Sequence, residues 1–417
     1  MNMRCVLLIS LFIYFTGYGQ QTAQEKSLSI KEAVNIALHN NPDLKTARSK
    51  VDAAAGRLLS GISLPAPELS LEYNYIPSGK PLSSFNERVI GISQSFDFPS
   101  AYFLRKSKLS GESRAAETEL AAAEFQTIIK VKSAYIKALA KQEELKLANG
   151  NLAIADDFNK QAEIRYSAGE ATYLEQMTAK VQYTEAVNDL HNKENELKSL
   201  MAELNLAIGY GRNQDNLRCR LSDSLSCDSL NITLDKLMVT ASSVNPLLKI
   251  SELKLSTSLV EKTLAWTGLL PSFTLSFSKQ SRDGMNGFYG ASLGITLPIW
   301  FMFDQRGKIR EAEAGSLIAE SELQCAKNEL YFKVNKAYND YITALRQVRL
   351  YQSDILPQSD EISHTAFKSY EAGEIMYVEF LQAKQTSAGS RNNYINALLS
   401  YNLAVISLEE AAGISLK

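Results

Sequence analysis

Proline is scarce in this chain of 417 residues: ten in all, none between residues 100 and 245, and one between 299 and 417. Proline breaks helix interiors, so two very long stretches are open to helix. Residues 42, 65, 67, 77, 81, 99, 246, 271, 298 and 357 hold the prolines, gathered mainly in two short windows. Net charge is also nearly absent, with 44 Lys and Arg against 46 Asp and Glu. No basic field exists to hold nucleic acid. The three histidines, His39, His191 and His364, stand far apart, and no HExxH, GxSxG or P-loop spacing occurs. The chain therefore does not read as an enzyme and calls for no cofactor. With no CxxC spacing and no histidine beside a cysteine pair, zinc is not expected, nor is any other bound metal. After the first 19 residues no apolar run approaches the length of a membrane-spanning helix.

Those first residues (1–19) combine basic Arg4, an apolar run Val6–Phe15 and the small residues Gly17 and Gly19. This is the pattern of a secretory signal peptide cleaved after Gly19. Cys5 lies too early in it to carry a lipid. In an oxidising compartment Cys219 and Cys227 are candidates for a short-loop disulfide. Cys325 falls in a helical pattern, as a buried or interface thiol.

What is present is a duplication. Tyr166–Lys180 (YSAGEATYLEQMTAK) and Tyr370–Lys384 (YEAGEIMYVEFLQAK) agree at eight of fifteen positions, 204 residues apart. The same offset aligns Asn41-Pro42 with Asn245-Pro246, and an offset of 206 aligns Pro65 with Pro271. Residues 20–215 and 231–417 thus read as two repeats joined by a linker at 216–230. Each opens with a short helix, the first carrying a capping box in Ser29 and Glu32. The Asn-Pro step starts a second helix, at 42–62 and 246–268.

The proline windows alternate apolar and polar residues with period two, which predicts strands at 68–76, 88–98, 272–279 and 288–298. Polar loops at 77–87 and 279–287 would close them into two hairpins. Beyond each hairpin runs a helix; residues 100–167 alone would span on the order of 100 Å at ~1.5 Å per residue. Asn149-Gly150-Asn151 does not interrupt it, since apolar periodicity resumes at Leu152, whereas Pro357 should kink its counterpart. The chain reverses at 168–171 and 372–375, where Gly169 and Gly373 suit a left-handed helix end. Shorter helices return over 171–208 and 375–412, each able to stack end to end on the Asn-Pro helix of its repeat. The fold class is mainly α with a small β part.

Strands of 9–11 residues with one apolar face suit an outer-membrane barrel, and the only tryptophans, Trp266 and Trp300, flank the second hairpin. The alternative is a small sheet packed on the helices of a soluble coiled-coil scaffold. Four strands cannot close a barrel, so a barrel would be shared between chains.

The repeat, the hairpins, the YxAGE-x-x-Y-[LV]-E segments and Ile355-Leu356-Pro357-Gln358 resemble the TolC family of outer-membrane efflux proteins, over essentially the whole mature chain. The resemblance implies a homotrimer: a twelve-stranded β-barrel in outer-membrane lipid, and long antiparallel coiled-coil helices forming an α-barrel across the periplasm. It implies a passive exit duct serving an inner-membrane pump through a periplasmic membrane-fusion (adaptor) protein. The tips Gly169, Glu170, Gly373 and Glu374 would meet that adaptor. Glu175 and Glu379 match the acidic constriction of the family, with Gln382 where some members carry a second acid; the alternative for both is a solvated helix face. The wording at 370–384 is similar to the CzcC/CusC-like heavy-metal branch, whose members partner an RND pump, so the expected cargo is metal cations. Drugs, other small molecules or secreted polypeptides are the alternative.

Overall fold

The structure, a computed structural model, describes residues 26–210, 219–299 and 302–416. The expected signal peptide, Cys5 and Trp300 lie outside them. Each repeat begins with a helix that its own side chains start. In the first, Ser29 Oγ accepts the Glu32 N–H at 3.3 Å and the Glu32 carboxylate accepts the Ser29 N–H at 2.9 Å, opening α1 (Ile30–Asn40). Helix α2 (Pro42–Gly61) follows at once. In the second repeat, α5 (Leu234–Val244) and α6 (Pro246–Thr267) take the same places.

The prolines bound a four-stranded antiparallel sheet, ordered β2 (Glu68–Asn74), β3 (Glu87–Phe96), β5 (Ser272–Arg282), β6 (Met285–Thr296). The first two strands end two residues short of the expected 76 and 98. The second hairpin departs further: its strands run through most of the expected 279–287 loop. The reason is Asp283-Gly284, with φ of 49° and 78°. Two successive left-handed residues make a two-residue turn whose twist matches the strands it joins.

Register aligns Leu69 with Ile92, Ile92 with Phe277, Gln94 with Leu275, and Leu275 with Leu293. All four strands thereby contribute to one apolar face, and it is not packed on the helices: Leu69, Ile92, Phe277 and Leu293 are 47–77% exposed. The opposite face carries Ser70, Gly91, Ser278 and Gly290 in register. Trp266, half exposed, ends α6 just before this sheet.

From β3 the chain enters α3 (Pro99–Ser167), an unbroken helix of 69 residues. It passes through Gly150, as the resumed periodicity predicts. Helix α4 (Tyr173–Ile208) returns along it. A buried carboxylate ties the pair: Glu144 receives Lys141 at 2.7 Å and Lys193 at 2.6 Å, and Lys141 also reaches Glu196 at 2.7 Å. The second descent differs. Helix α7 (Asp304–Leu350) passes into a π turn at Tyr351–Ile355 before α8 (Leu356–Glu371). The widened turn accommodates Pro357, which has no N–H for the ladder. Helix α9 (Tyr377–Ala412) then returns.

Both returning helices stop at left-handed glycines, Gly209 (φ 89°) and Gly413 (φ 71°), against the start of the Asn-Pro helix. Asn41 Oδ1 accepts the Asp43 N–H at 2.8 Å while its Nδ2 donates to the Ala207 carbonyl at 3.3 Å. Asn245 repeats this, accepting from Leu247 at 2.9 Å and donating to Ala411 at 3.2 Å. The end-to-end stacking expected from helix lengths thus has a single side chain at each joint.

The segment expected as a plain linker is instead strapped to both halves. Within it β4 (Cys219–Leu221) pairs in parallel with β1 (Lys26–Leu28). Asp223 accepts the Ile30 N–H at 2.8 Å and lies 2.7 Å from the hydroxyl of fully buried Tyr135. Further along, the Tyr341 hydroxyl accepts the Leu230 N–H at 2.9 Å, and Tyr401 donates to the Asp228 carbonyl. Cys219 packs against the core of the first repeat and Cys227 against that of the second. Cys325 is exposed rather than buried.

Candidate functional site

The hairpin tips lie at the far end of α3 from the sheet, and both are built by one backbone device. Gly169 (φ 79°) donates to the Tyr166 carbonyl at 3.0 Å and Glu170 to that of Arg165 at 2.8 Å. Gly373 (φ 76°) and Glu374 make the same bonds to Tyr370 and Ser369, at 3.0 and 2.8 Å. These paired bonds close a helix end only when the residue after it is left-handed, which glycine allows without strain. The reversals cover one residue more than expected, since the next helices start at Tyr173 and Tyr377. Glu170 and Glu374 are exposed beside them.

The repeat-equivalent carboxylates do different work. Glu379 is exposed and caps its own helix, accepting the Met376 N–H at 2.9 Å. Gln382, one turn on, is also exposed. Glu175 turns inward, with its side chain 19% exposed and 3.5 Å from Arg165 Nη1. The same Nη1 donates to the Tyr370 hydroxyl at 2.6 Å. One guanidinium therefore joins the first helical hairpin to the second.

Around this contact lies an aromatic cluster that crosses the same gap. Phe158 of α3 stands 4.8 Å from Phe380, 5.9 Å from Tyr377 and 6.4 Å from Tyr370, ring centre to ring centre. Burial pushes the Tyr377 phenol up to about 12, with the Tyr370 and Glu175 charges adding to it. Burial also raises the Tyr370 phenol, against the opposing pull of Arg165. Both rings stay neutral at any physiological pH. Among the described residues no group of three or more His, Cys, Asp or Glu is placed to hold a metal. The arrangement can clamp two helical hairpins together; it presents no activated nucleophile.

Sequence reasoning singled out Glu175, Glu379 and Gln382 but missed Arg165, Phe158 and Tyr370 as a unit. A signal was available. Under the 204-residue offset, Arg165 faces Ser369 and Phe158 faces Ile362, so the repeats diverge where the clamp sits.

Comparisons with known proteins agree with this architecture. The family model described as outer membrane efflux protein matches the chain twice, at residues 33–210 and 237–414. The outer membrane protein TolC of Vibrio cholerae is 22% identical, the match covering 97% of this chain and 95% of that protein. The cobalt-zinc-cadmium resistance protein CzcC of Cupriavidus metallidurans is 21% identical over 93% of this chain and 90% of that one. Among solved structures, the CmeC outer membrane channel of Campylobacter jejuni superposes with a TM-score of 0.80 at 18% identity, covering 98% of this chain and 95% of that one. Members of this family are channels rather than enzymes. The chain belongs to the outer membrane efflux protein family and is an efflux channel of the outer membrane.

Proposed function

We propose that three copies of the chain assemble into the passive exit duct of a tripartite efflux system. Each copy supplies four strands to a twelve-stranded barrel, above the minimum of about eight that closes one. The single observation that carries this reading is the exposed apolar face of the four-stranded sheet. A sheet with one small-polar face and one uncovered apolar face has lipid as its natural cover. Its β2 and β6 edges are open and pair with the neighbouring copies, leaving no edge in hydrocarbon.

The helices then line the periplasmic tunnel. Gly169, Glu170, Gly373 and Glu374 present the tips to the adaptor, and an inner-membrane RND pump supplies the driving force. The exposed Glu379 carboxylates form a threefold acidic ring at the mouth, with Gln382 neutral below them, and such a ring favours cations. Metal cations are accordingly the proposed cargo, a reading supported by similarity to a protein named for cobalt, zinc and cadmium resistance. The Arg165–Glu175–Tyr370 clamp holds the mouth narrow at rest.

Membrane fractionation and a deletion strain test this together. The chain should sediment with the outer membrane as a heat-dissociable trimer, and its loss should sensitise cells to cobalt, zinc, cadmium, copper or silver. A monomer in the periplasmic wash refutes the duct. Sensitivity to a drug panel without metal sensitivity leaves the duct and replaces its cargo.

A further inference from the structure

The apolar face of the sheet carries two cations. Register sets Leu71, Ile90, Lys279 and Tyr289 in one row across the four strands, and Tyr73, Arg88 and Ser281 in the next row toward the turns. These rows share the face of Leu69, Ile92 and Phe277, and the Tyr289 ring stacks on that of Phe277 at 6.0 Å, centre to centre. The acids of the strands are all on the other face: Glu68 is in register with Ser93, Glu72 with Val89, and Glu87 with Asn74 and Arg282. Arg282 has its own acid, Asp283, at 3.8 Å. Arg88 and Lys279 are exposed, and among the described residues neither forms an ion pair.

Their height on the sheet sets them apart from the rest of the face. From Leu297, just past β6, to Tyr289 the strand covers about 26 Å at ~3.3 Å per residue. A tilt of about 40° turns that into roughly 20 Å of height, most of the ~25 Å apolar band of an outer-membrane strand. Leu275, Leu293 and Ile295, 56–66% exposed, fill the stretch between. Lys279 thus stands at the edge of the band and Arg88 just beyond it. A cation on the lipid face is costly at the bilayer centre and nearly free at its surface. Lys279, one row lower, reaches that surface with its four-carbon stem. Tyr73 and Tyr289, directly opposite Arg88 and Lys279, suit the same level, with the ring among acyl chains and the hydroxyl among headgroups.

We propose that Arg88 and Lys279, with the Tyr73 and Tyr289 hydroxyls, bind the phosphate of a lipid headgroup in the leaflet farther from the helices. Two unpaired cations on a face without acids have an anion as their complement. Arg88 and Lys279 are diagonal neighbours on adjacent strands, about 7–8 Å apart, a gap that two long side chains close around one phosphate. The guanidinium offers a fork matched to phosphate oxygens, the ammonium a point charge, and the phenols further donors. The occupant is a lipid rather than a free anion, because the apolar rows below take its acyl chains while the cations hold its head. The site rests on the reading that lipid covers this face, and adds to it a preferred headgroup.

Native mass spectrometry of the purified full-length assembly, titrated with lipid in detergent, reads the site. Dioleoyl phosphatidic acid should be retained about tenfold better than phosphatidylcholine, whose choline cancels the phosphate charge. Arg88→Gln with Lys279→Gln should lower the affinity for phosphatidic acid at least tenfold and leave phosphatidylcholine unchanged. Arg88→Lys with Lys279→Arg keeps both charges and should keep the preference. Arg282→Gln removes a cation from the same end but the other face, and should change neither lipid.

Wild-type protein that retains both lipids equally overturns the site, whether or not the double variant assembles. An equal loss with Arg282→Gln also overturns it, by marking a general attraction of charge. Displacement of the lipid by inorganic phosphate at equal concentration overturns the lipid as occupant. A chain that stays dispersed without detergent overturns the lipid-covered face and the headgroup site together; one that needs detergent and shows no preference overturns the headgroup site alone.

Discussion

Replacing Arg165 by alanine removes the guanidinium that joins the two hairpins of a copy, and its effect follows from the contacts. Arg165 donates to the Tyr370 hydroxyl at 2.6 Å and lies 3.5 Å from Glu175. A hydrogen bond to a charged group stabilises by about 1.5–3 kcal/mol when well shielded. The arginine side chain here is 41% exposed, and solvent screening brings the value down to about 1 kcal/mol. One kcal/mol is roughly a fivefold change in the ratio of open to closed clamps; in the proposed trimer, three clamps released together amount to about 3 kcal/mol, on the order of 150-fold. Single-channel recording in planar bilayers separates these cases. Independent clamps give about a fivefold rise in open time with graded sublevels, and concerted release gives the larger rise with one conducting level. Tyr370→Phe sharpens the comparison, since it deletes the hydroxyl and keeps the ring against Phe158 and Phe380. It should reproduce the smaller part of the arginine effect. Arg165→Ala channels that assemble normally and open no more often than wild type refute the clamp.

Four further outcomes follow from the helices. Glu144→Ala leaves Lys141 and Lys193 without their shared carboxylate at a site 4% exposed, and should cost about 3–5 kcal/mol in chemical denaturation. Asn245→Ala removes a helix cap and the bond to Ala411 together; a loss of about 1–2 kcal/mol is expected, with Asn245→Asp recovering only the capping part. Gly373→Ala has open space around the new methyl but a φ of 76°, so backbone strain alone should cost about 1–2 kcal/mol, seen as a lower thermal midpoint. The Tyr377 phenol, pushed up to about 12 by burial, stays protonated in the fold between pH 10 and 12 while the unfolded chain ionises. Its contribution is complete below pH 10 and fades as pH rises toward 12, by up to about 2.7 kcal/mol; Tyr377→Phe should flatten that alkaline slope.

The helical frame was legible because its signals are local. Asn41-Pro42, Asn245-Pro246, Gly169 and Gly373 each mark a boundary through backbone chemistry, and the observed ends fall within a residue or two of the expected ones. Period-two alternation located the strands, those of the second hairpin to within three residues. What stayed hidden depends on contacts between distant segments. The three-residue pair β1–β4 is too short to leave a periodic trace, and nothing around Asp223 announces Tyr135 as its partner. Asp283-Gly284 was readable as a tight turn, but it sits in a polar run that also suits a loop. The different duties of Glu175 and Glu379 follow from Arg165, which has no equivalent in the other repeat. Aligning the repeats identifies shared architecture; their mismatches locate the clamp.

The joints at Asn41 and Asn245 bear on how the channel carries load. Of the two rods in each repeat that run between sheet and tip, one is a covalently continuous helix, with a π turn part-way along it in the second. The other is two helices meeting end to end through a single amide side chain. A push delivered at the tips reaches the membrane directly along the first rod. Along the second it must cross a contact that can slip or rotate. Each repeat is thus a stiff strut beside a jointed one, an arrangement that lets the helices below the joint twist while the sheet above it stays still.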